Sequence, residues 1–376
     1  MKTLIALLFA FVSCCALHAA EVNDPEVITV EPEIDGVAIA EPKHKPDLKK
    51  TLASLKEVDG LYVMTFYGDY TQQVKNFHER MLMNAMIGTI VRRHYCSLFS
   101  YFGDRQNPLF GRNFDNVDTH LLACYYFPEN GYASIGFTPM KDLGVDGKTK
   151  LNMDSSFQKM KLANCACFTI EGMNEKGVCV ALASIEPVEY EPEENKESMW
   201  LIHLMRQILD HAASADDAVR IARSYNVFDN GLGVLSHHIL VADPAGSAVL
   251  EHDGTEMRVI PKQGAWQAAT NWKLCDVPME RTRKNCARFR TATDILKTSG
   301  ESMTWKGGMN ILDKVAQRSV KYVIGGEKIT VNTEWSAVFN MKKREVYISL
   351  DMDYDKVFKL SLRDRENEQG QIKAGK

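Results

Sequence analysis

The sequence predicts an α+β domain beginning near Cys96, with a separate region in front of it. Three observations predict this class. Apolar and β-branched runs alternate with turns after Cys96, two amphipathic helical runs then follow, and more strands close the chain. Strands, then helices, then strands suggest sheets with helices packed outside them. Taken alone, the pattern supports mixed α and β and no particular topology. The 376 residues allow one large or two ordinary domains, and 45% hydrophobic residues suffice for a buried core. The net charge of −4 is modest and mixed, so composition gives no sign of a nucleic-acid partner.

The first twenty residues read as a secretory signal peptide. Lys2 gives a positive start, Leu4 to Val12 form a short apolar run, and small residues lead up to Ala19 and Ala20. That run is too short to span a bilayer, and no other stretch looks transmembrane. The residue three before either candidate cut, His18 or Leu17, is not small, so the cleavage position stays open. Cys14, after Phe-Val-Ser, offers lipid attachment as the alternative. The expected location is therefore secreted or periplasmic, with a lipoprotein as the variant. Glu21 to Lys50 is rich in Pro, Glu, Asp and Lys without periodicity and reads as a flexible linker. Leu61 to Phe66 reads as a strand. Gln72 to Arg92 reads as a helix, with Val74, Phe77, Met81 and Ala85 at steps of three and four.

Beyond Cys96, strands are expected over 96–101, 109–114, 121–127 and 133–137. Further strands over 165–170 and 178–184 flank Gly172 to Gly177, which reads as a hairpin turn. Met199 to His211 carries Leu201, Leu204 and Ile208 on one helical side. Ser214 caps a second helix, with Asp216 and Asp217 in its first turn, where the macrodipole favours negative charge. Strands follow over 238–242, 247–251 and 257–260, then a helix over 285–298 and a strand pair over 337–340 and 345–350. The charged tail from Arg363 reads as frayed.

Nine cysteines occur, two of them in the leader. Only Cys165 and Cys167 lie close together and no second pair joins them, which argues against a zinc site. Alternation would put both on one strand face as buried thiols. The seven beyond the leader are an odd number, so an exported chain could pair six or leave several unpaired. Counting does not identify a reactive one.

The stretch from Cys96 to Asp115 carries the most information. A Cys followed by Gly111-Arg112-Asn113-Phe114-Asp115 is a weak signal by itself, but further motifs follow in order. They are Glu171-Gly172-Met173-Asn174-Glu175-Lys176-Gly177, Ala269-Thr270-Asn271, Ala287-Arg288-Phe289 and Thr333-Glu334-Trp335-Ser336. Together, from about Cys96 to Leu350, they resemble the choloylglycine hydrolase and penicillin V acylase family of linear-amide C–N hydrolases. The resemblance implies the four-layer αββα sandwich of N-terminal-nucleophile hydrolases, with two antiparallel sheets between helices. It also implies self-cleavage before Cys96, which divides the chain into a signal peptide (1–20), linker and propeptide (21–95) and hydrolase domain (96–376).

The implied chemistry explains the residue types. Once the 95–96 bond is cut, Cys96 owns an α-amine, whose intrinsic pKa of about 7.7–8.0 suits a general base near neutral pH. Thiol and base then share one residue, so proximity comes without further structure. The resemblance implies that Asp115 accepts a hydrogen bond from that amine and that Arg112 and Arg288 favour the thiolate. It implies an oxyanion hole from the Asn271 side chain and the Ser184 backbone N–H. Phe99, Phe114 and Val117 flank the nucleophile and are candidates to line an apolar acyl pocket, with core packing equally open to each.

Ser184 departs from the pattern, because family hydrolases carry Asn or Tyr there. The missing side chain removes the hint of substrate class, so neither bile salts nor penicillin V follows. His237 and His238 invite a papain-like Cys/His pair, but a papain nucleophile begins a helix, whereas strand-forming residues follow Cys96. His238 reads instead as a satisfied core histidine. Trp200, Trp266 and Trp335 read as core or pocket wall. The expected activity is hydrolysis of a small N-acyl amide without a cofactor or metal. An acyltransferase and a catalytically silent binding protein of the same fold are the alternatives. Homo-oligomerisation and retention of the propeptide stay open.

Overall fold

The computed structural model describes residues 24–34, 45–85 and 95–362, apart from 146, 148, 230 and 325. The leader, the last residues of the 72–92 helix and the C-terminal tail lie outside the described residues. In chain order the first strands are β1 (Glu26–Thr29), β2 (Lys56–Val58), β3 (Leu61–Phe66), β4 (Tyr95–Tyr101), β5 (Leu109–Asn116), β6 (Leu121–Tyr126) and β7 (Ser134–Pro139). Next come β8 (Glu171–Asn174), β9 (Cys179–Glu189), β10 (Ser198–Trp200), β11 (Asn226–Phe228), β12 (Val234–Ala242) and β13 (Ser247–His252). The last are β14 (Met257–Pro261), β15 (Trp266–Ala269), β16 (Val320–Ile324), β17 (Glu327–Asn340), β18 (Glu345–Leu350) and β19 (Lys356–Ser361). The helices are α1 (Leu48–Ala53), α2 (Thr71–Ala85), α3 (Ser156–Met160) and α4 (Leu201–His211). They continue with α5 (Ala215–Arg223), α6 (Met279–Asn285), α7 (Ala287–Thr298) and α8 (Trp305–Val315).

Two large sheets face each other. The first runs β1-β19-β18-β17-β5-β4-β15, with β16 paired to β17 off this path. The second runs β14-β13-β12-β9-β8-β7-β6-β3-β2. Leu98, Phe110, Ala123, Phe137, Leu182 and Trp335 belong to one large buried apolar cluster that joins the two sheets. Helices α7 and α8 cover the outer face of the first sheet, where Phe99, Phe289, Leu296, Met309 and Leu312 form a separate cluster. Helices α4 and α5 pack against the second sheet. This is the αββα sandwich. Helix α5 starts as its sequence dictates: Ser214 Oγ accepts from Asp217 N at 3.1 Å, acidic residues fill the first turn and Arg220 and Arg223 the last.

The sheets are not wholly antiparallel. β1 pairs with β19, and β3 with β6, in parallel. Both parallel pairs are made by the region before Cys96. The expected linker therefore contains an edge strand, and β3 is buried along its whole length. Alternation in Leu61–Phe66 splits its side chains between the inter-sheet core and a second cluster with Phe66, Tyr70, Val74, Tyr126 and Leu162. The sequence around 165–170 also differs from expectation. Cys165 and Cys167 sit in a 3₁₀ segment, Lys161–Phe168, rather than a strand, and both are buried. All seven described cysteines are unpaired.

Two glycines do work that no other residue could. Gly177 turns β8 into β9 with φ +80°, and a Cβ there would lie 2.3 Å from the Met341 carbonyl oxygen. Gly111 lies opposite Phe99, and a Cβ would meet that ring at 2.0 Å. The Phe99 ring therefore lies across β5 toward the helices.

Candidate active site

Cys96 is the second residue of β4 and pairs across the ladder with Phe114 of β5. Alternation puts Cys96 and Leu98 on the face toward the second sheet, and Ser97 and Phe99 on the face toward α7. Arg112, two residues before Phe114 on β5, shares the inward face. Its Nη2 donates to Cys96 Sγ at 3.3 Å, while Nη1 makes an ion pair with Glu171 Oε2 at 3.0 Å. Both partners of that pair are fully buried. The guanidinium also lies 4.8 Å from the centroid of the Phe114 ring, which stacks on Trp335 at 4.0 Å. Trp335 Nε1 donates to the other Glu171 oxygen. Glu171 thus holds Arg112 against the sulfur from behind.

Asp115 falls on the opposite face of β5. Thr333 Oγ1 donates to its Oδ1 at 2.6 Å, and Gln317 Nε2 to its Oδ2 at 3.2 Å. Arg288 Nη1, from the first turn of α7, is 3.3 Å from the same oxygen. Burial pushes this carboxyl up to about 6 despite the adjacent Arg288. Arg288 is the hub on this side. Nη1 also donates to the Cys96 carbonyl at 2.7 Å and to Ser97 Oγ at 3.0 Å, and Nη2 donates to Asn271 Oδ1 at 2.7 Å.

Asn271 follows the end of β15 and bridges the two sheets. Its Oδ1 accepts from Cys96 N at 3.0 Å and its Nδ2 donates to the Ser184 carbonyl at 2.8 Å. Two donors converging on Oδ1 fix which end of the amide faces Cys96. Ser184 Oγ lies 2.8 Å from His237 Nε2, its cross-strand partner on β12, and His237 Nδ1 lies 2.5 Å from Asp229 Oδ2. Asp229 is anchored in turn by Ser236 N and Oγ. A hydrogen-bonded chain therefore runs from Asp229 through His237, Ser184 and Asn271 to the Cys96 nitrogen.

Cys96, Arg112, Asp115, Ser184, Asn271 and Arg288 are thus brought together, with several contacts unlike those expected. The Cys96 N–H meets Asn271 rather than Asp115. Arg288 reaches the Cys96 carbonyl and Asp115 rather than the sulfur. In the joined chain the thiol is pushed up rather than down, because its burial outweighs the pull of Arg112. Among the acyl-pocket candidates, Phe99 is removed from the sulfur, since it faces the helices. Phe114 is fully buried in the stack with Trp335. Val117 is half-buried just past β5, at the Cys96 end of the strand. His238 is a core histidine, with Nδ1 at 2.7 Å from Glu251 Oε1.

Sequence reasoning passed over Asp229 and Gln317, weighed His237 only in a papain-like pair, and gave Glu171 and Thr333 no role. Glu171 and Thr333 each open a quoted motif, so their positions were in view without a role. Asp229 and Gln317 had no local signal, and nothing local pointed to the contact of His237 with Ser184, because these partners lie across strands or far along the chain.

Among the described residues, no helix is long and apolar enough to cross a membrane. The profile of the linear amide C–N hydrolases, choloylglycine hydrolase family, matches residues 96–272. Among solved structures, a mutant conjugated bile acid hydrolase from Clostridium perfringens aligns with TM-score 0.51 and 14% identity, over 71% of this chain and 92% of its own. A second variant of that enzyme aligns with TM-score 0.50 and 14% identity, over 72% and 98%. Penicillin V acylase from Agrobacterium tumefaciens gives 0.49 and 16%, over 71% and 86%. No curated protein sequence matches the chain. Profile and fold agree: residues 96–272 match the choloylglycine hydrolase family of linear amide C–N hydrolases, and the fold is similar to that of a conjugated bile acid hydrolase.

Proposed function

We propose that this linear-amide hydrolase is an exported cysteine amidase that cuts itself between Tyr95 and Cys96 and then uses Cys96 on a small N-acyl amide. The observation that carries the reading is the convergence on one residue. The Cys96 sulfur meets Arg112 at 3.3 Å, and its own backbone nitrogen meets Asn271 at 3.0 Å. The family match also begins at residue 96. Export rests on the leader-like first twenty residues.

In the first cut, the thiol attacks the Tyr95 carbonyl carbon. A C–S bond forms, the C–N bond breaks, and the thiol proton ends on the Cys96 nitrogen. Water then breaks the C–S bond, leaving a Tyr95 carboxylate and a free thiol. In turnover, the new α-amine takes the thiol proton and gives it to the departing amine, and water again releases the acid. Arg112 steadies charge on sulfur. The Ser184 backbone N–H and Asn271 Nδ2 donate to the oxyanion once the α-amine has left Asn271 Oδ1 and Nδ2 has turned from the Ser184 carbonyl. Asp115 acts through Arg288, which grips the Cys96 carbonyl. The N-terminal piece stays bound as a small subunit, because β3 is buried within the second sheet.

Intact-mass analysis of purified protein tests the reading. The expected result is a chain starting at Cys96, with Cys96→Ala blocking both the cut and hydrolysis across a panel of N-acyl amides. Active protein still joined at 95–96 would overturn it.

A further inference from the structure

We propose that Tyr322 holds the scissile peptide for the first cut and afterwards selects acyl groups that end in a planar ring. The inference rests on Cys96 being the nucleophile. Under that reading, Tyr95 supplies the first carbonyl attacked, so Tyr95 is the acyl half of the earliest substrate this site meets. Its ring has a defined seat. It stacks on the Tyr322 ring with centroids 4.1 Å apart and planes 14° from parallel.

Tyr322 is held from its other end. Its hydroxyl donates to Gln317 Oε1 at 2.8 Å, and Gln317 Nε2 donates to Asp115 Oδ2 at 3.2 Å. The backbone of Gln317 is tied to the same carboxylate, because its N–H donates to Thr333 Oγ1, which donates to Asp115 Oδ1. The ring that seats Tyr95 is therefore fixed to the site by a short chain of hydrogen bonds. Among the described residues, the β16 strand that carries it pairs only with β17, and neighbouring Val323 is 68% exposed, so the seat lies on a projecting ribbon. Such a ribbon contributes little to the core, which makes a positioning role the better account of the stack.

Self-cleavage and turnover pass through the same species, an acyl group bonded to Cys96 Sγ. Once Tyr95, now a free carboxyl end of the retained piece, has left the seat, an external acyl chain leaves that sulfur along the path Tyr95 used. In Tyr95 two carbons separate the carbonyl from the ring, so 3-arylpropanoyl amides and amides of N-acylated aromatic amino acids place a ring in the same seat. A flat seat favours flat groups over flexible alkyl chains of equal length.

The test compares wild type, Tyr322→Phe and Tyr322→Ala. Self-cleavage is followed by intact mass, and kcat and KM are measured on 3-phenylpropanoyl and hexanoyl amides of one amine. We expect wild type to prefer the aryl substrate by about five- to tenfold, mainly through KM. Tyr322→Ala should slow the cut by a similar factor and erase the preference, whereas Tyr322→Phe, which keeps the stack but loses the hydroxyl tether, should fall between wild type and Tyr322→Ala. Equal cleavage in Tyr322→Ala, or a wild type that treats both amides alike, overturns the inference while leaving Cys96 as nucleophile. The wild-type ratio decides even if the alanine variant fails to fold. A wild type that neither cuts nor hydrolyses defeats the underlying reading instead.

Discussion

Arg112 touches Cys96 from inside the sandwich, Nη2 to Sγ at 3.3 Å, and it does so while wholly buried. A buried guanidinium is tolerable only beside compensating charge, and Glu171 provides it on the far side. The same carboxylate takes the Trp335 indole N–H, so one residue fixes both the cation at the sulfur and the ring stacked behind Phe114.

Glu171→Gln should therefore damage stability and chemistry together. Removing one partner of a buried pair costs about 3–5 kcal/mol. Urea unfolding of the uncut Cys96→Ala background would measure the first effect, and the rate of the 95–96 cut in an otherwise native chain the second. Unchanged unfolding midpoints would contradict the role given to Glu171.

Asp115 predicts a pH dependence of definite sign. Its carboxyl rises from an ordinary 3.8 to about 6 on folding. Between those values the folded state binds more protons than the unfolded one, so stability falls as pH rises from about 4 to about 6 and stays lower above. Two pKa units correspond to about 3 kcal/mol. Asp115→Asn should be more stable than wild type at pH 7, should lose that slope, and should cut and turn over more slowly. Parallel stability curves for the two proteins between pH 4 and 7 would sink this account.

His237 predicts a loss confined to chemistry. Replacing it with Ala breaks the chain Asp229–His237–Ser184 and frees the Ser184 peptide to shift against Asn271. Turnover should drop by about 10- to 100-fold, the scale of weakening one oxyanion donor, with kcat affected more than KM. Loss of stability comparable to the loss of rate would reassign His237 to core support.

Retention of the N-terminal piece is measured directly. After the cut, two fragments should co-elute under native conditions and separate only in denaturant. β3 lies between β2 and β6 with all six residues buried, so removing it would strip backbone partners and apolar cover from the second sheet. Free hydrolase domain in native buffer would refute this.

Candidate residues for the chemistry and the approximate run of the strands are legible along the chain. Turn residues and alternation mark Leu61–Phe66, Cys96–Tyr101 and Glu345–Leu350 because those signals are local, and the Ser214 cap is readable for the same reason. Ordered motifs placed Cys96, Arg112, Asn271 and Arg288 in one family pattern. What each of them touches emerges only from the fold. It put Phe99 under the helices, gave the Cys96 N–H to Asn271, and set Arg288 on a carbonyl. It also recruited Glu171, His237 and Gln317 from distant segments. Those contacts depend on strand register and on which face of a strand looks inward, and a side chain's partner across two sheets has no signature along the chain.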